Sequence, residues 1–429
     1  MTNQPTPPKL SNRQAKASQK FARHGKIKPQ SKSRAVWGLL FKGLGVIVGA
    51  SVALSGIALA QLNNEIKSNG IVLVGSTAST TASLAGPINM LIVGSDTREG
   101  QGEGFGNDTS ELADVIILLH ISADRENVVA LSFPRDLLVP WPACPSTSVP
   151  PGPGYLPQSL GQINATIANG GPGCTLLTVE ELTGLDIPFL AMIDFKGVIE
   201  MSNAIGGVDV CVSKPINDPY TFLKLDAGNH TLQGRDALKY LRTRHGVGDG
   251  SDLGRISNQQ TFLTSLVRKV KSEGVLNNPI ALYSLATAAA RNMKLSESLT
   301  DVNVMIAMAE ALRKVDLNKV TFLQIPSRYG LPAPYSGRVA VVYEQANILF
   351  EKLQKDEPLI LAKANTGEGA VVVETPNSTP SATPSASPTT SASPKPGASA
   401  SASSSPTPTD APLPDWARGT NAATTTCSG

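Results

Sequence analysis

Residues Gly43–Asn64 form an unbroken run of 22 uncharged residues, mostly Ala, Val, Ile, Leu and Gly. At 1.5 Å per residue a helix of that length covers the roughly 30 Å hydrocarbon core of a bilayer. Ten Lys and Arg, and no Asp or Glu, precede the run over residues 1–42. A buried core helix does not gather charge on one side only, so the run reads as one membrane helix. The positive-inside rule then sets the N-terminus in the cytoplasm and the body outside, as a single-pass cell-membrane protein. Ala58-Leu59-Ala60 imitates a signal-peptide cleavage site, but the run exceeds the usual apolar region of about 7 to 15 residues, which favours retention as an anchor.

The basic character is local. The net charge of the 429-residue chain is +3, and beyond the arm 27 Lys and Arg stand against 34 Asp and Glu, a net of −7. Nucleic acid is therefore not an expected partner. Cys144, Cys174, Cys211 and Cys427 lie at spacings unlike any zinc motif. The sequence holds no Gly-x-Ser-x-Gly, His-Glu-x-x-His or Walker-type loop, and Gly100–Gly106 lacks the Lys-Ser/Thr of a nucleotide cradle. The expected organisation is a basic arm (1–42), a membrane helix (43–64), a Ser/Thr/Gly/Ala-rich stalk (65–86), a folded domain (87–357) and a low-complexity tail (358–429). Between Pro376 and Pro414 that tail is almost only Ser, Thr, Pro and Ala, too poor in apolar residues to bury a core, and reads as a disordered tail.

Within 87–357, apolar runs of strand length at Ile88–Val93, Val115–Ile121, Val128–Phe133, Phe189–Ile193, Val208–Val212 and Val320–Ile325 alternate with helical patterns. These are Ile163–Asn169, Thr178–Leu182, Phe195–Ala204, Arg235–Leu241, Leu253–Glu273, Ile280–Ala290, Leu299–Val315 and Tyr343–Lys355. The fold class is α/β, a single mixed α-β-α sandwich domain. The first three strands are joined by short connections, with a hairpin turn at Ala123–Asn127, so an antiparallel meander is the economical pairing. That pairing brings Asp96, Asp114, Arg135 and Asp136 to one sheet edge, where paired carboxylates can hold Mg²⁺ while a guanidinium grips phosphate oxygens. Spacing alone leaves the plainer alternative of turn acids ion-paired with Arg135. Farther on, Arg255 and Gln259 share a helix face near a helix N-terminus, where anions are favoured. Arg242 and Arg244, two apart, act together only if their helix ends there.

These segments, in this order, resemble the LytR-CpsA-Psr family of cell-wall glycopolymer ligases. The likeness runs through Ile88-Asn89-Met90-Leu91-Ile92-Val93-Gly94-Ser95-Asp96-Thr97-Arg98, Leu131-Ser132-Phe133-Pro134-Arg135-Asp136, Gln162-Ile163-Asn164-Ala165, Asp194-Phe195-Lys196-Gly197, Ile205-Gly206-Gly207-Val208 and the stretch from Arg242 to Gln259. The resemblance implies an enzyme that moves a phosphate-linked glycopolymer from a polyprenyl-pyrophosphate carrier to a hydroxyl of peptidoglycan, releasing polyprenyl phosphate. It implies Asp96 and Asp114 as Mg²⁺ carboxylates, and Arg135, Arg242, Arg244, Arg255 and Gln259 as the pyrophosphate-binding set. Asp96 or Asp136 would take the acceptor's proton. Family members usually carry an arginine where this chain has Leu112, a loss for which Arg98 is the candidate compensation. A polyprenyl-pyrophosphate pyrophosphatase and a non-catalytic lipid-glycan carrier are the alternatives, whereas a transcription regulator conflicts with an extracellular body.

The family places the lipid between the sheet and helices of the same domain, which makes Phe195, Val198, Ile199, Met201, Leu263, Leu266, Val267, Val270, Met305, Ile306 and Met308 the candidate lining. Four cysteines allow three pairings. Cys144 and Cys174 flank a Pro- and Gly-rich loop whose closure removes loop entropy, so they are the favoured pair, leaving Cys211 for Cys427. His120 reads as a satisfied core histidine, and His245, beside the Arg pair, as a minor candidate base.

Overall fold

The computed structural model describes residues 60–73, 84–97, 111–147, 152–272, 278–367, 369–373 and 411–429, with positions 50, 53 and 56–58. The basic arm, most of the 43–64 run, Arg98, Gly100–Gly106 and residues 374–410 lie outside the described residues. No helix among the described residues is long and apolar enough to cross a membrane. The chain divides into two compact units, Met1–Gln61 and Leu62–Gly429, and every strand among the described residues belongs to the second.

The elements begin with β1 (Gly70–Ile71), β2 (Ile88–Ser95), β3 (Ala113–Ile121), β4 (Val128–Phe133), β5 (Leu137–Trp141), β6 (Gln158–Gln162) and helix α1 (Thr166–Thr183). They continue with β7 (Phe189–Ile193), α2 (Phe195–Ala204), β8 (Val208–Val212), β9 (Ile216–Asp218), β10 (Leu223–Leu225), β11 (Gly228–Leu232), α3 (Arg235–Arg242) and α4 (Asp252–Ser272). Then come α5 (Pro279–Asn292), β12 (Met293–Ser296), α6 (Val302–Lys314), β13 (Val320–Gln324), β14 (Ser327–Arg328), β15 (Val339–Val341) and α7 (Tyr343–Gln354). The last three strands are β16 (Ala370–Val372), β17 (Gly419–Asn421) and β18 (Thr426–Ser428).

The main sheet runs β1-β12-β7-β2-β3-β4-β13-β17, with the expected antiparallel meander β2-β3-β4 at its centre. Side chains alternate across it, as the two-residue period of a strand requires. Leu91, Val93, Ile116 and Leu118 enter one core with Leu176 of α1 and Phe350 of α7. Met90, Ile92, Ile117 and Leu119 meet Leu263 of α4, Ala290 of α5 and Met308 of α6 on the other face. Helices on both faces make the α-β-α sandwich. Smaller sheets, β11-β8-β18-β16 and β14-β15-β5-β6, flank it.

Three expectations are corrected. The helical stretches at 163–169 and 178–182 are continuous, a 3-10 turn over Ile163–Ala165 running into α1, which is kinked where Gly170 and Gly171 leave helical φ/ψ ahead of Pro172. A Cβ at Gly170 would lie 2.8 Å from the Cβ of Cys174 and 2.9 Å from that of Cys144, so the glycine is what lets the helix pass their disulfide. The stalk does not begin at 65: Ile66 is buried in the core, and β1 pairs with β12. Nor does the domain end at 357, because 411–429 return to it. β17 extends the main sheet beside β13, β18 inserts between β8 and β16, and Cys427 bonds Cys211. The low-complexity reading averaged over the terminal segment and hid its anchors, among them Leu413, Ala417, Thr420, Ala422 and Cys427, all buried. Both cysteine pairs are the expected ones. His120 is also as expected, with Nδ1 bonded to Asn89 and Nε2 to Asp356.

Candidate active site

The β2–β3 pairing passes from Gly94–Val115 to Ser95–Ala113, so Asp114 is the extra residue of a β-bulge. Bulges re-aim a side chain, and this one sets Asp114 at the sheet edge facing the arginines. Asp96 lies beside it on β2's exit: its N–H donates to Leu112 O at 3.0 Å, and Leu112 N–H donates to Asp96 Oδ1 at 2.7 Å. The backbone at Leu112 thus fixes Asp96, whichever side chain stands there.

Arg135, just past β4, donates from Nη1 to Asp114 Oδ1 at 2.5 Å. Arg255, in the first turn of α4, approaches the same oxygen at 3.6 Å and donates to the Asp114 carbonyl at 2.8 Å. Asp252, three residues before Arg255, joins the group. Its Oδ1 lies 2.8 Å from Arg255 Nη2, 3.1 Å from Arg244 Nη2 and 3.7 Å from Arg135 Nε, and its Oδ2 accepts from the Arg135 backbone at 3.1 Å. Arg135, Arg244 and Arg255 therefore share Asp114 and Asp252, one guanidinium charge in excess. Asp136 stands at the flank, accepting from Gln162 and Arg338, each at 2.9 Å, with Arg135 Nε 3.6 Å away.

Burial pushes the Asp114 carboxyl up, but the charges of Arg255 and Arg135 and the Arg135 hydrogen bond, with Arg244 behind them, hold it below the usual carboxylate range. Burial and the neighbouring Arg255 and Arg135 push the Arg244 guanidinium down against the pull of Asp252 and Asp114. The buried Nε–H groups of Arg135 and Arg255 have no protein hydrogen-bond acceptor. Unspent cationic donors beside a carboxylate suit a multiply charged oxyanion, since a buried donor left unmade is costly.

The two remaining arginine expectations resolve through helix ends. α3 stops at Arg242, and Thr243 is extended, so Arg242 and Arg244 are not held to one helical face. Asn258 and Gln259 of α4 donate to the terminal α3 carbonyls of Tyr240 and Leu241, at 2.7 and 3.0 Å. Such carbonyls lack the usual i+4 donors, Tyr240 O taking only a tighter backbone turn from Thr243 N–H at 3.3 Å, and supplying them fixes where the Arg pair leaves the helix. Gln259 thus positions the pair through α3. The Arg242 guanidinium stacks 4.4 Å over the Phe195 ring.

Behind this cluster lies an apolar cavity of about 320 Å³ between β2, β3, α2 and α4. Asp114, Arg242, Arg255 and Gln259 line it together with Ile92, Ile117, Phe195, Val198, Met201, Leu263 and Leu266. Ile199, Val267, Val270, Met305, Ile306 and Met308 are not in its wall. Val267, Met305 and Met308 pack into the core instead, and Ile306 is exposed. Among the described residues no group of three or more His, Cys, Asp or Glu could hold a metal ion alone. His245 stacks on Tyr220, ring centroids 4.4 Å apart. Sequence reasoning missed Asp218, Arg338 and Tyr329, and gave no role to Asp252 within the Arg242–Gln259 stretch. Asp218 accepts from the Arg244 backbone at 3.1 Å, and the Tyr329 hydroxyl accepts from the Asp252 N–H at 3.1 Å. The usable signal was the three-residue spacing of Asp252 and Arg255, one face of a first helical turn.

The LytR_cpsA_psr family profile matches residues 58–356. Cell wall biosynthesis protein LcpA of Corynebacterium glutamicum is 28% identical over 312 residues, 67% of this chain and 57% of that protein. The chain thus spans little more than half of that relative's length. TagT of Bacillus subtilis, named a polyisoprenyl-teichoic acid–peptidoglycan teichoic acid transferase, is 27% identical over 286 residues, 64% of this chain and 82% of its own. Protein gbs0355 of Streptococcus agalactiae superposes with a TM-score of 0.51 at 21% identity, over 64% of this chain and 91% of that one, a likeness of fold. With the profile matched across most of its length, the chain belongs to the LytR_cpsA_psr family.

Proposed function

We propose that the protein is a phosphotransferase that moves a glycopolymer from a polyprenyl-pyrophosphate carrier to peptidoglycan. The observation that carries this reading is the pairing of an apolar cavity with an arginine cluster at its wall whose Arg135 and Arg255 Nε–H groups are unspent. A polyprenyl diphosphate is the ligand with a long apolar body and a doubly anionic head. The name of the relative TagT points the same way.

In this scheme Arg135, Arg244 and Arg255 hold the diphosphate, and Arg242 on Phe195 closes the cavity wall where lipid meets phosphate. An acceptor hydroxyl oxygen bonds to the polymer-bearing phosphorus. The bond from that phosphorus to the bridging oxygen breaks, and the electron pair leaves on polyprenyl phosphate. The hydroxyl proton passes to Asp96 or Asp136, the former held by Leu112 N–H and the latter by Gln162 and Arg338. Guanidiniums fixed beforehand stabilise charge that grows on the leaving phosphate without reorganising at the moment of reaction.

Asp96, one residue past the end of β2, and Asp114 of the neighbouring β3 are hard oxygen donors. They fit Mg²⁺, which ordinarily takes one or two protein carboxylates and fills its shell with phosphate oxygens and water. When bound, Mg²⁺ supplies divalent charge to the diphosphate. The membrane anchor and outside body complete the proposal, since lipid-linked donor and wall both require them. The decisive assay incubates the full chain with a polyprenyl-pyrophosphate glycan, Mg²⁺ and peptidoglycan. Polymer on the wall is the expected result; hydrolysis of the carrier alone would make the protein a pyrophosphatase, and no turnover a carrier. Protease added to protoplasts should digest the body and spare the arm, and an intact body would reverse the orientation.

A further inference from the structure

A second cavity, of about 500 Å³, opens where β13 ends, between the start of α4, α7 and the returning C-terminal segment. Its chemistry differs from that of the first. Ser327, Gln345 and Asn365 bring a hydroxyl and two amides, Asp415 and Arg418 bring opposite charges that cancel, and Trp416 adds one flat apolar ring. Neutral mixed donors and acceptors around an aromatic face are what a saccharide asks for. Its hydroxyls and acetamido groups need partners of both kinds, and its C–H face needs an apolar plane.

The placement is equally specific. β13 runs parallel to β4, with Gln324 opposite Ser132, and Ser132 pairs with Ile117 of β3. Gln324, in the cavity wall, is thus two strands from β3, roughly 10 Å at the spacing of neighbouring strands. The first two turns of α4 separate the two cavities: Leu253 lines the polar one, and Arg255 and Gln259 line the apolar one. Asp252, which binds Arg244 and Arg255, sits between, and its backbone is held by Tyr329 just beyond Ser327.

We infer that the polar cavity is the subsite for the acceptor glycan, a β-linked N-acetylhexosamine chain, across the arginine cluster from the lipid. This rests on the transferase reading above. Asp415, Trp416 and Arg418 come from the terminal segment, so the clasp at the end of the chain completes the acceptor side of the site. The donor's own glycan is the other possible source of a saccharide here, and kinetics separate the two.

The test uses the full chain in detergent, the lipid-linked donor, and as acceptor a soluble tetrasaccharide of alternating N-acetylglucosamine and N-acetylmuramic acid. Gln345→Ala and Arg418→Ala should each raise the KM for the tetrasaccharide about five- to tenfold, the effect of losing one polar contact, with little change in the KM for donor. Arg418 is exposed, so its removal spares the core, whereas Trp416 also packs against it. A rise in donor KM alone would give the cavity to the donor's glycan and overturn the inference, as would no change in either constant. Calorimetric titration of the tetrasaccharide, which needs no turnover, keeps the two readings apart. Saturable binding weakened by Arg418→Ala in a protein that transfers nothing upholds the saccharide site while the transferase reading falls, and no binding sinks the site.

Discussion

Asp252 is the side chain through which Arg135, Arg244 and Arg255 are brought together, and it is only 2% exposed. The sequence displayed it without marking it, because an acid in the first turn of a helix is already explained by the helix dipole. Of the arginines, Arg135 was legible from the expected sheet edge, whereas Arg244 and Arg255 took on their pyrophosphate role only through the family resemblance. Their unspent donors give the first prediction. Arg135→Ala should lower transfer about ten- to hundredfold, the worth of charge-assisted contacts to a diphosphate. Arg135→Lys should rescue little, because an ammonium cannot supply Nη1 to Asp114 and Nε to a phosphate oxygen together. Full activity in the Lys variant, measured as polymer transferred at saturating donor, would show that only charge matters there. His120 gives the second. Burial pushes its imidazole below the usual range, and the Asp356 carboxylate pulls upward without restoring it. With the folded value below the unfolded one, ordinarily about 6.5, the unfolded chain takes the proton first. The stability tied to His120 is therefore complete above that value and lost as pH falls through it toward the folded value. Melting temperature should drop between about pH 7.5 and 5.5, and His120→Gln should flatten that part of the slope; equal slopes in both proteins would remove His120 from the account.

At the scale of elements, the site is made by where strands and helices stop. β2 ends at Ser95, β3 begins with the bulge at Asp114, β4 hands over to Arg135, α3 ends at Arg242 and α4 starts at Asp252. Much of this was readable: apolar runs gave the meander and short connections gave its hand-to-hand pairing, while the two-residue spacing of Arg242 and Arg244 said only that they act together if the helix ends there, as it does. The capping of α3 by Asn258 and Gln259 was not readable, because amide side chains on a helix carry no sign of which carbonyl they will meet across space. The apolar wall was half legible for a similar reason. A helical stripe shows that Val198 and Met308 both turn inward, but only tertiary packing decides that Val198 faces the cavity and Met308 the core. Val198 is the natural place to test the lipid slot. Val198→Trp should fill part of the roughly 320 Å³ cavity, leave the melting temperature near that of the parent, and raise the KM for a long-chain donor about tenfold or more while a short-chain analogue is spared. Equal effects on both chain lengths would place the lipid elsewhere.

The second unit is closed by residues 411–429, whose tie to the body the expected Cys211–Cys427 pair foretold but whose strands composition could not, because strand pairing over such separations leaves no local period. Residues 411–429 add strands to two sheets, and α4 packs on them. Thr261 bonds Thr426 at 3.0 Å, Arg268 donates to the carbonyls of Ala422 and Thr424 at 3.2 and 2.8 Å, and the buried Tyr240 hydroxyl meets Ser428. The helix that carries Asp252, Arg255 and Gln259 therefore leans on a segment locked by Cys211–Cys427, a bond between residues 216 apart, whereas Cys144–Cys174 spans 30. In the chain-entropy account the longer closure is worth roughly 5 kcal/mol and the shorter about 3 to 4 kcal/mol. Replacing Cys211 and Cys427 by Ser should accordingly lower the melting temperature more than replacing Cys144 and Cys174. Because the clasp braces α4, it should also cost more transfer activity below the melting temperature. The two effects are separable: an equal loss of stability with no difference in transfer would leave the clasp as a staple only, and a larger loss from the Cys144–Cys174 pair would mean that the terminal segment does not hold α4 in place.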